Sequence, residues 1–554
     1  MAYTPELREL IKKVEATRPA RLAMARRGEN YPALSLAERE EVLSKFHPDY
    51  QKDAKRIVRV GPNKGDSLQD QVVGLLESRS IIRPDKVNLS KVQHETDVLV
   101  IGGGGAGTSA ALMAEAAGCK VIIANKLRHG DSNTIMAEGG IQGATQECDS
   151  PYYHYLDTIG GGHFTNQPDL VAALAKDAPL SIAWLESLGM MFLKQDDGRA
   201  VTRHFGGSSR KRMHSAGDMT GAEIMRVVRD EARNRSNITV MEFSPAIELL
   251  LDEDGKCAGA ILYNMETHEY SIVKAKAVVI STGGFGRLHI KGFATTNHYG
   301  ATMDGVVMAY RAGVANKLLF STQYHPTGVA YPEQNVGLLI TEKVRGLGAH
   351  VLNIKGEQFC FPLEPRDVES AELICEAMEK GLGIITPTGR VGLWLDSPMI
   401  EELHGPGSVR KELPAKFIQF ERHGIDISKD PMLVYPTLHY QNGGICVNGN
   451  SETIVPGLYA AGETIGGVHG ENRLMGNSLQ DIITFGRRAG KNAAAYVKGG
   501  VDLKKLTLDH VVKFEKELAD AGITNPEIAP ILLPDYSTDE VSANRWPEAV
   551  TAKA

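Results

Sequence analysis

The sequence predicts an α/β fold organised around a dinucleotide-binding turn, on three observations. Val98-Leu99-Val100-Ile101 is an apolar run that reads as a strand buried on both faces. Gly102, Gly104 and Gly107 follow it in a G-x-G-x-x-G spacing. Thr108 to Ala117, rich in Ala, Leu and Met, then reads as a helix. In that order the first glycine permits a tight turn and the second lets backbone approach a pyrophosphate. The third lets the helix pack on the strand, and the helix N-terminus faces the negative charge. With 58 glycines in 554 residues the spacing alone is weak, and its strand–turn–helix context is what makes it specific.

Length allows two or three domains. A net charge of −7 carries no nucleic-acid signature. No apolar run approaches the ~18 residues of a membrane span. The N-terminus lacks a charged-then-apolar signal, and the pair Arg26-Arg27 runs into polar sequence, so a cytoplasmic location is expected. None of the six cysteines sits in a C-x-x-C, so no zinc, haem or iron–sulfur spacing is present and no metal site is predicted. A redox centre beyond a bound nucleotide must then come from another protein or a diffusing carrier.

Residues 1–90 read as a helical extension without its own core. Leu7, Leu10, Ile11 and Val14 have helical spacing over Pro5 to Thr17. Ser35-Leu36-Ala37-Glu38 is a capping box that opens a second helix to about Phe46, and residues 66–78 offer a third. Basic residues outnumber acids in the first 65 residues. They read as a solvated face of helices lying across the main body, or as a docking arm for a partner.

The second strand, Lys120 to Ala124, ends in Asn125-Lys126, where an NAD site would place an acid for the ribose. Ser132-Asn133-Thr134 and Ala137-Glu138-Gly139-Gly140 suggest backbone pressed against a flat ligand. Arg210-Lys211-Arg212 reads as a solvated loop. Ala277 to Ser281 and Gly457 to Ala460 are further strands, followed by Thr282-Gly283-Gly284 and Ala461-Gly462-Glu463. Polar motifs stand around them: Asp304-Gly305, Tyr324-His325-Pro326-Thr327-Gly328, Thr341-Glu342-x-x-Arg345-Gly346, Pro365-Arg366-Asp367, Pro436-Thr437-x-His439-Tyr440, His469-Gly470-x-Asn472-Arg473 and Gly476-Asn477-Ser478-Leu479. A last helix, Leu508 to Ala521, precedes irregular Pro-containing sequence.

In this order, from about residue 96 to 495, the motifs resemble the flavoprotein subunit of succinate dehydrogenase and fumarate reductase, with soluble fumarate reductases and L-aspartate oxidases as relatives. The resemblance implies a Rossmann-like FAD-binding domain (91–316 and 437–500) interrupted by an α+β capping domain (317–436). The helical N-terminal extension (1–90) and a short tail (501–554) lie outside it. It implies FAD contacts from Gly102, Gly104, Gly105, Ala106, Gly107, Lys126, Ser132, Asn133, Thr134, Ala137, Glu138, Gly139, Gly140, Asp304, Glu463, Ser478 and Leu479. It implies substrate contacts from His325, Thr341, His439 and Arg473, and a proton donor at Arg366 relayed by Glu342 and Arg345.

The residue types suit the implied chemistry. A dicarboxylate such as fumarate needs fixed donors and cations at both ends. Arg473 can bind one carboxylate bidentately with help from His439, and His325 and Thr341 can hold the other. FAD supplies the hydride at its N5, and the protein supplies position and charge. Taken by its chemistry alone, Arg366 reads as an electrostatic group, since a guanidinium rarely gives up its proton. The resemblance implies the donor role instead.

Three departures shape the expectation. Asn133 stands where membrane-bound members carry the histidine that binds FAD covalently, so non-covalent FAD and a bias towards reduction are expected. The tail is short for the family, so the front extension is expected to take over part of the contact with a partner, an iron–sulfur subunit or other electron carrier, in the cytoplasm or at the cytoplasmic face of a membrane. Arg203-His204-Phe205-Gly206-Gly207 lacks the glutamate of aspartate oxidases, which favours an unaminated dicarboxylate. Aspartate oxidase, a reductase of another unsaturated acid and a flavin electron-relay subunit stay as alternatives.

Overall fold

A computed structural model describes residues 3–51, 55–288 and 290–534. It opens with helices α1 (Pro5–Arg26) and α2 (Leu36–Phe46). The Thr4 side chain caps α1 and Pro5 starts it, as suits a first helical position. The helix continues past the predicted end at Thr17 and through Pro19. That proline costs one backbone hydrogen bond. Arg18 and Arg21, on either side of it, both reach the buried Asp396 at 2.8 Å, which holds the second half against the body. The capping box of α2 is formed as predicted, with Ser35 and Glu38 each bonded to the other's backbone. The expected third helix is shorter. Ser67–Gln69 pairs with Lys55–Ile57, and only Asp70–Leu76 is helical. The Gln69 amide donates to Asp49 Oδ1 at 2.8 Å and anchors the extended piece.

Both leading helices lie across the main body. Leu7, Ile11 and Val14 of α1 join an apolar core with Trp394 and Leu433, and Leu43 of α2 packs on Val368 and Ala371. The basic face is not simply solvated. Arg18 and Arg21 pair with Asp396, and Arg39 with Glu364 at 2.7 Å.

Strands β1 (His94–Ile101), β2 (Val121–Ala124), β3 (Ile238–Met241), β4 (Ala246–Asp252), β5 (Cys257–Tyr263) and β6 (Tyr270–Ile280), with the short strands Leu458–Ala460 and Leu506–Thr507, build a mixed eight-stranded sheet, and helix α3 (Gly105–Ala116) follows β1. β6, β1, β2 and β3 run parallel, and β4, β5 and β6 form an antiparallel meander. Leu458–Ala460 adds in parallel to the end of β6. Val98 to Ile101 are buried in this sheet, as a strand covered on both faces must be. α3 begins at Gly105, because the glycine turn itself forms its first coil.

A second, antiparallel sheet follows. Its long strands are β7 (Thr322–Tyr331), β8 (Val391–Leu395) and β9 (Met432–Gln441), with β9 in the middle. Between β7 and β8 lie the short helix α4 (Lys343–Gly346) and α5 (Arg366–Ile374). A long helix, α6 (Asn477–Lys498), returns to pack on α3.

Arg212 corrects another expectation. It is buried and paired with Asp149 at 2.8 Å and Asp157 at 2.5 Å, so the Arg-Lys-Arg run is not a solvated loop throughout. After the last helix, Asp509–Asp520, the segment Ile528–Ala529 pairs with Arg79–Ser80. The rest of the expected irregular tail, residues 535–554, lies outside the described residues. No helix among the described residues is long and apolar enough to cross a membrane.

Candidate cofactor and active site

The glycine turn closes tightly where β1 meets α3. Gly102 sits at φ +102°, and a Cβ there would meet Ser281 O at 2.4 Å. A Cβ on Gly107 would meet Gly102 O at 1.8 Å, so only hydrogen fits. The turn opens onto a cleft of about 830 Å³, lined among others by Gly102, Gly104, Gly105, Ala106, Lys126, Ser132, Asn133, Thr134, Asp304 and Glu463. Gly107 is not among the residues that line it. A second cleft of about 840 Å³ includes Ala137, Glu138, Gly139, Gly140, Ser478 and Leu479 in its walls. The two share Asn133, Thr134, Glu463 and Ile482 and form one elongated slot.

Lys126 is engaged inside the wall. Its ammonium meets Asp304 at 2.7 Å, Thr302 Oγ1 at 2.6 Å and the Ile531 carbonyl at 2.7 Å. Asn133 is fixed at the junction of the clefts. Its amide donates to Glu463 Oε2 at 3.2 Å and to Asn297 Oδ1, and accepts from the His298 amide at 3.0 Å. Burial pushes Glu463 up to about 7, and also Glu138, although Lys416 lies 2.5 Å from the latter.

The far end of the second cleft is polar. His325, Thr341, Glu342, Arg366, His439 and Arg473 all line it. β7 and β9 supply the histidines from neighbouring positions, with His325 opposite Thr437 in the ladder, and the two imidazoles meet edge to face at 5.1 Å. His325 Nδ1 accepts the Thr327 amide at 3.2 Å, so in the neutral ring the proton sits on Nε2. That Nε2 is buried without a partner. Burial and the nearby Arg366 hold His325 well below the usual imidazole range. Burial and the same arginine do so for His439, whose Nδ1 is 2.7 Å from Thr296 Oγ1.

Arg473 stacks 4.2 Å over the Tyr440 ring. Its hydrogen-bond partners are neutral: Gln323 Oε1, Ser478 Oγ and the Leu474 carbonyl. Its Nε is buried and free. Burial, then Arg366, brings its pKa down to about 9. Arg366 donates to Glu342 Oε2 at 3.1 Å and to Gln323 Oε1 at 3.0 Å. Arg345 does not reach the cleft. It sits behind Glu342, with 3.9 Å between Nη2 and Oε2. The pocket thus offers a neutral donor and two buried guanidinium groups, one of them without an anionic hydrogen-bond partner among the described residues. That is a receptor for a small anion.

The sequence matches the FAD binding domain family over residues 97–479. It is 34% identical over 472 residues to a fumarate reductase (CoM/CoB) subunit of Methanothermobacter marburgensis, covering 83% of this chain and 82% of that protein. The chain belongs to the fumarate reductase/succinate dehydrogenase flavoprotein family. An uncharacterised FAD-dependent oxidoreductase of Methanocaldococcus jannaschii is 40% identical over 413 residues, 73% of each chain. A solved E. coli quinol fumarate reductase superposes with a TM-score of 0.69 at 30% identity, covering 78% of this chain and 74% of that one.

The slot of this family member fits FAD on its own geometry. The glycine turn packs so closely on neighbouring backbone that no side chain fits at Gly102 or Gly107, and the backbone of Gly102 to Gly105 lines the cleft where a pyrophosphate would lie. At Gly139 a Cβ would lie 2.0 Å from Met475 Cε and 3.3 Å from Thr341 Oγ1, so these side chains close on its backbone, and Ala137 to Gly140 line the second cleft with backbone and small side chains at three of the four positions. Sequence reading missed Gln323 and Thr296, and placed Tyr440 in a motif without giving it a role. For Gln323 a signal existed. It lies two residues before His325 on β7 and so shares its face of the strand.

Proposed function

We propose that this FAD-dependent oxidoreductase is a catalytic subunit of the fumarate reductase/succinate dehydrogenase type, interconverting fumarate and succinate and working mainly as a reductase. The observation that carries the reading is the cleft lined by His325, Arg473 and Arg366, in which His325 Nε2 and Arg473 Nε are buried without a partner. A dicarboxylate would satisfy them. We assign residues 317–436 as the cap over a flavin held by 91–316 and 437–500, a division supported by the separate antiparallel sheet and its own core.

FAD, when bound, supplies the two-electron chemistry; Gly102 to Gly107 would hold its pyrophosphate and Ala137 to Gly140 its ring. Arg473 and His439 hold one substrate carboxylate, and His325 with the Thr341 hydroxyl holds the other. Fixing both ends orients the double bond and draws electron density towards the carboxylates. Arg366 lies beside them with its pKa lowered by burial, and gives a proton to the substrate carbon. Glu342, 3.1 Å from Arg366 Nε, returns it. Asn133 is an amide already committed to Glu463 and the His298 amide, which supports non-covalent FAD. The M. marburgensis relative belongs by its name to a multi-subunit enzyme, which supports an electron-carrying partner such as an iron–sulfur protein.

The reading is tested by giving the purified protein reduced viologen with fumarate, succinate with a dye, and aspartate with oxygen. Fumarate-dependent viologen oxidation, exceeding dye reduction by succinate, is expected. Peroxide from aspartate, or turnover with none of the three, would overturn it.

A further inference from the structure

Arg345 is fully buried and faces away from the substrate cleft. Its Nη1 donates to the Pro362 carbonyl at 2.6 Å and to Glu369 Oε2. Glu369, on α5, is 0% exposed, and its other oxygen has no partner. One turn along the same face of α5 stands Glu372, 9% exposed, also with an unpartnered buried oxygen. Glu364, just before α5, accepts the Leu34 amide at 2.7 Å and pairs at 2.7 Å with Arg39 of α2. The Arg39 side chain is 29% exposed. Arg366, Glu342, Arg345, Glu369 and Glu372 therefore form a row from the cleft to the seam where α2 of the N-terminal extension lies on α5.

A guanidinium hands on a proton only when a carboxylate takes it on one side and an acid replaces it from the other, because a neutral arginine is not a resting state. Glu342 is the acceptor. Glu369 is the acid in direct contact on the far side. A buried anion at Glu369 with one oxygen unpaired by any described residue would be costly, so the neutral acid is favoured. The groups around it agree. Glu342, Glu364, Glu372 and Glu376 face Arg345, Arg366, Arg39 and Lys380, with the buried Cys360 thiol among them. Burial, reinforced by the neighbouring carboxylates, raises Glu369 well above the carboxylate range. Burial and Glu364 bring Glu372 up to about 8.

We infer that Glu369 and Glu372 continue the proton supply of Arg366 outward from Arg345 to the α2–α5 seam; this rests on the proposed function. The balance is one proton per turnover. Arg366 gives its proton to the substrate carbon, and Arg345 refills it through Glu342. The Glu369 acid reprotonates Arg345, Glu372 refills Glu369, and solvent refills Glu372. Every residue ends the cycle as it began.

The test uses the full FAD-loaded chain, wild type against Glu369→Gln and Glu372→Gln. Three things are measured: reoxidation of pre-reduced protein by fumarate in H₂O and D₂O, malonate affinity from the flavin spectrum, and the infrared carbonyl band of un-ionised carboxyls. Glu369→Gln is expected to slow reoxidation about tenfold or more and change the solvent isotope effect while malonate affinity holds. It is expected to remove a carboxyl band that shifts in D₂O, and Glu372→Gln to slow the rate less. An unchanged rate and isotope effect, or a rate that falls only in step with malonate affinity and melting temperature, would overturn the inference. If wild-type protein is not reoxidised by fumarate, the functional reading fails instead. The infrared band then decides alone, its absence at Glu369 counting against the relay.

Discussion

Arg366 and Arg473 donate to the same atom. Gln323 Oε1 accepts from Arg366 Nη1 at 3.0 Å and from Arg473 Nη2 at 2.8 Å. The amide nitrogen of Gln323 donates to the Arg473 carbonyl at 2.8 Å and to Asn472 Oδ1 at 3.2 Å, which fixes its orientation. One neutral amide thus spaces two buried cations that repel each other, without neutralising either. Arg473, whose other hydrogen-bond partners are neutral too, keeps its charge available to an incoming anion, while Arg366 is paired with Glu342.

Gln323→Leu removes that shared acceptor. Hydrogen bonds to charged groups are worth about 1.5–3 kcal/mol, so kcat/KM for fumarate should fall about 10- to 100-fold. Gln323→Glu keeps the shape but adds an anion between the arginines, and should raise KM for fumarate more than it lowers kcat. Steady-state kinetics with malonate inhibition separate the two variants. Wild-type constants for both would show that the shared contact is idle.

Much of this was legible because the signals are local. The glycine turn declares itself within Val98 to Gly107, and His325, Thr341, Arg366, His439 and Arg473 each stand in a short motif. Gln323 was hidden because its importance lies in two arginines far along the chain. Arg212 looked like part of a surface run because Asp149 and Asp157, which bury it, lie more than 50 residues earlier. The same holds for α1. Pro19 is a local stop signal, and the residue that overrides it, Asp396, comes more than 370 residues later. Short-range chemistry can be read along the chain, whereas long-range charge pairing needs the fold.

The cofactor should leave the protein in acid. Asn133 has no nucleophilic nitrogen, and His129, the nearest imidazole in sequence, is buried with Nε2 held 3.0 Å from Thr108 Oγ1. Trichloroacetic acid should therefore give a colourless pellet and a yellow supernatant. Flavin fluorescence retained on the denatured band would contradict non-covalent binding.

Acid should also destabilise the fold through buried histidines. His154 is fully buried, with Nε2 2.8 Å from Asn477 Oδ1. Burial lowers it from an ordinary 6.5 to about 4. Between those values the unfolded chain binds more protons than the folded one, so stability is full above pH 6.5 and drains away as pH falls towards 4. The loss from this one group is roughly 3 kcal/mol across that window. His298 and His129 are lowered to about 4 in the same direction. His154→Gln should melt lower at pH 7.5 yet lose less between pH 7 and 5 than the wild type. Parallel melting curves across that range would rule His154 out as a contributor.

The first helix should depend on a single buried carboxylate. Asp396 is 0% exposed and accepts from Arg18 Nε and Nη2 and from Arg21 Nη2, at 2.8 to 3.1 Å. Asp396→Ala would leave the largely buried Arg21 without its anion, and breaking such a pair costs about 3–5 kcal/mol. Leu7, Ile11 and Val14 would still favour docking, but among the described residues the half of α1 beyond Pro19 has no other ion pair to a buried acid. Limited trypsin digestion should then cut first between Arg18 and Arg27. α2 should stay protected, because Leu43 and the Arg39–Glu364 pair hold it independently. Arg18→Ala, which leaves Arg21 on Asp396, should give a smaller effect. Equal trypsin resistance in wild type and Asp396→Ala would mean that apolar packing alone seats α1.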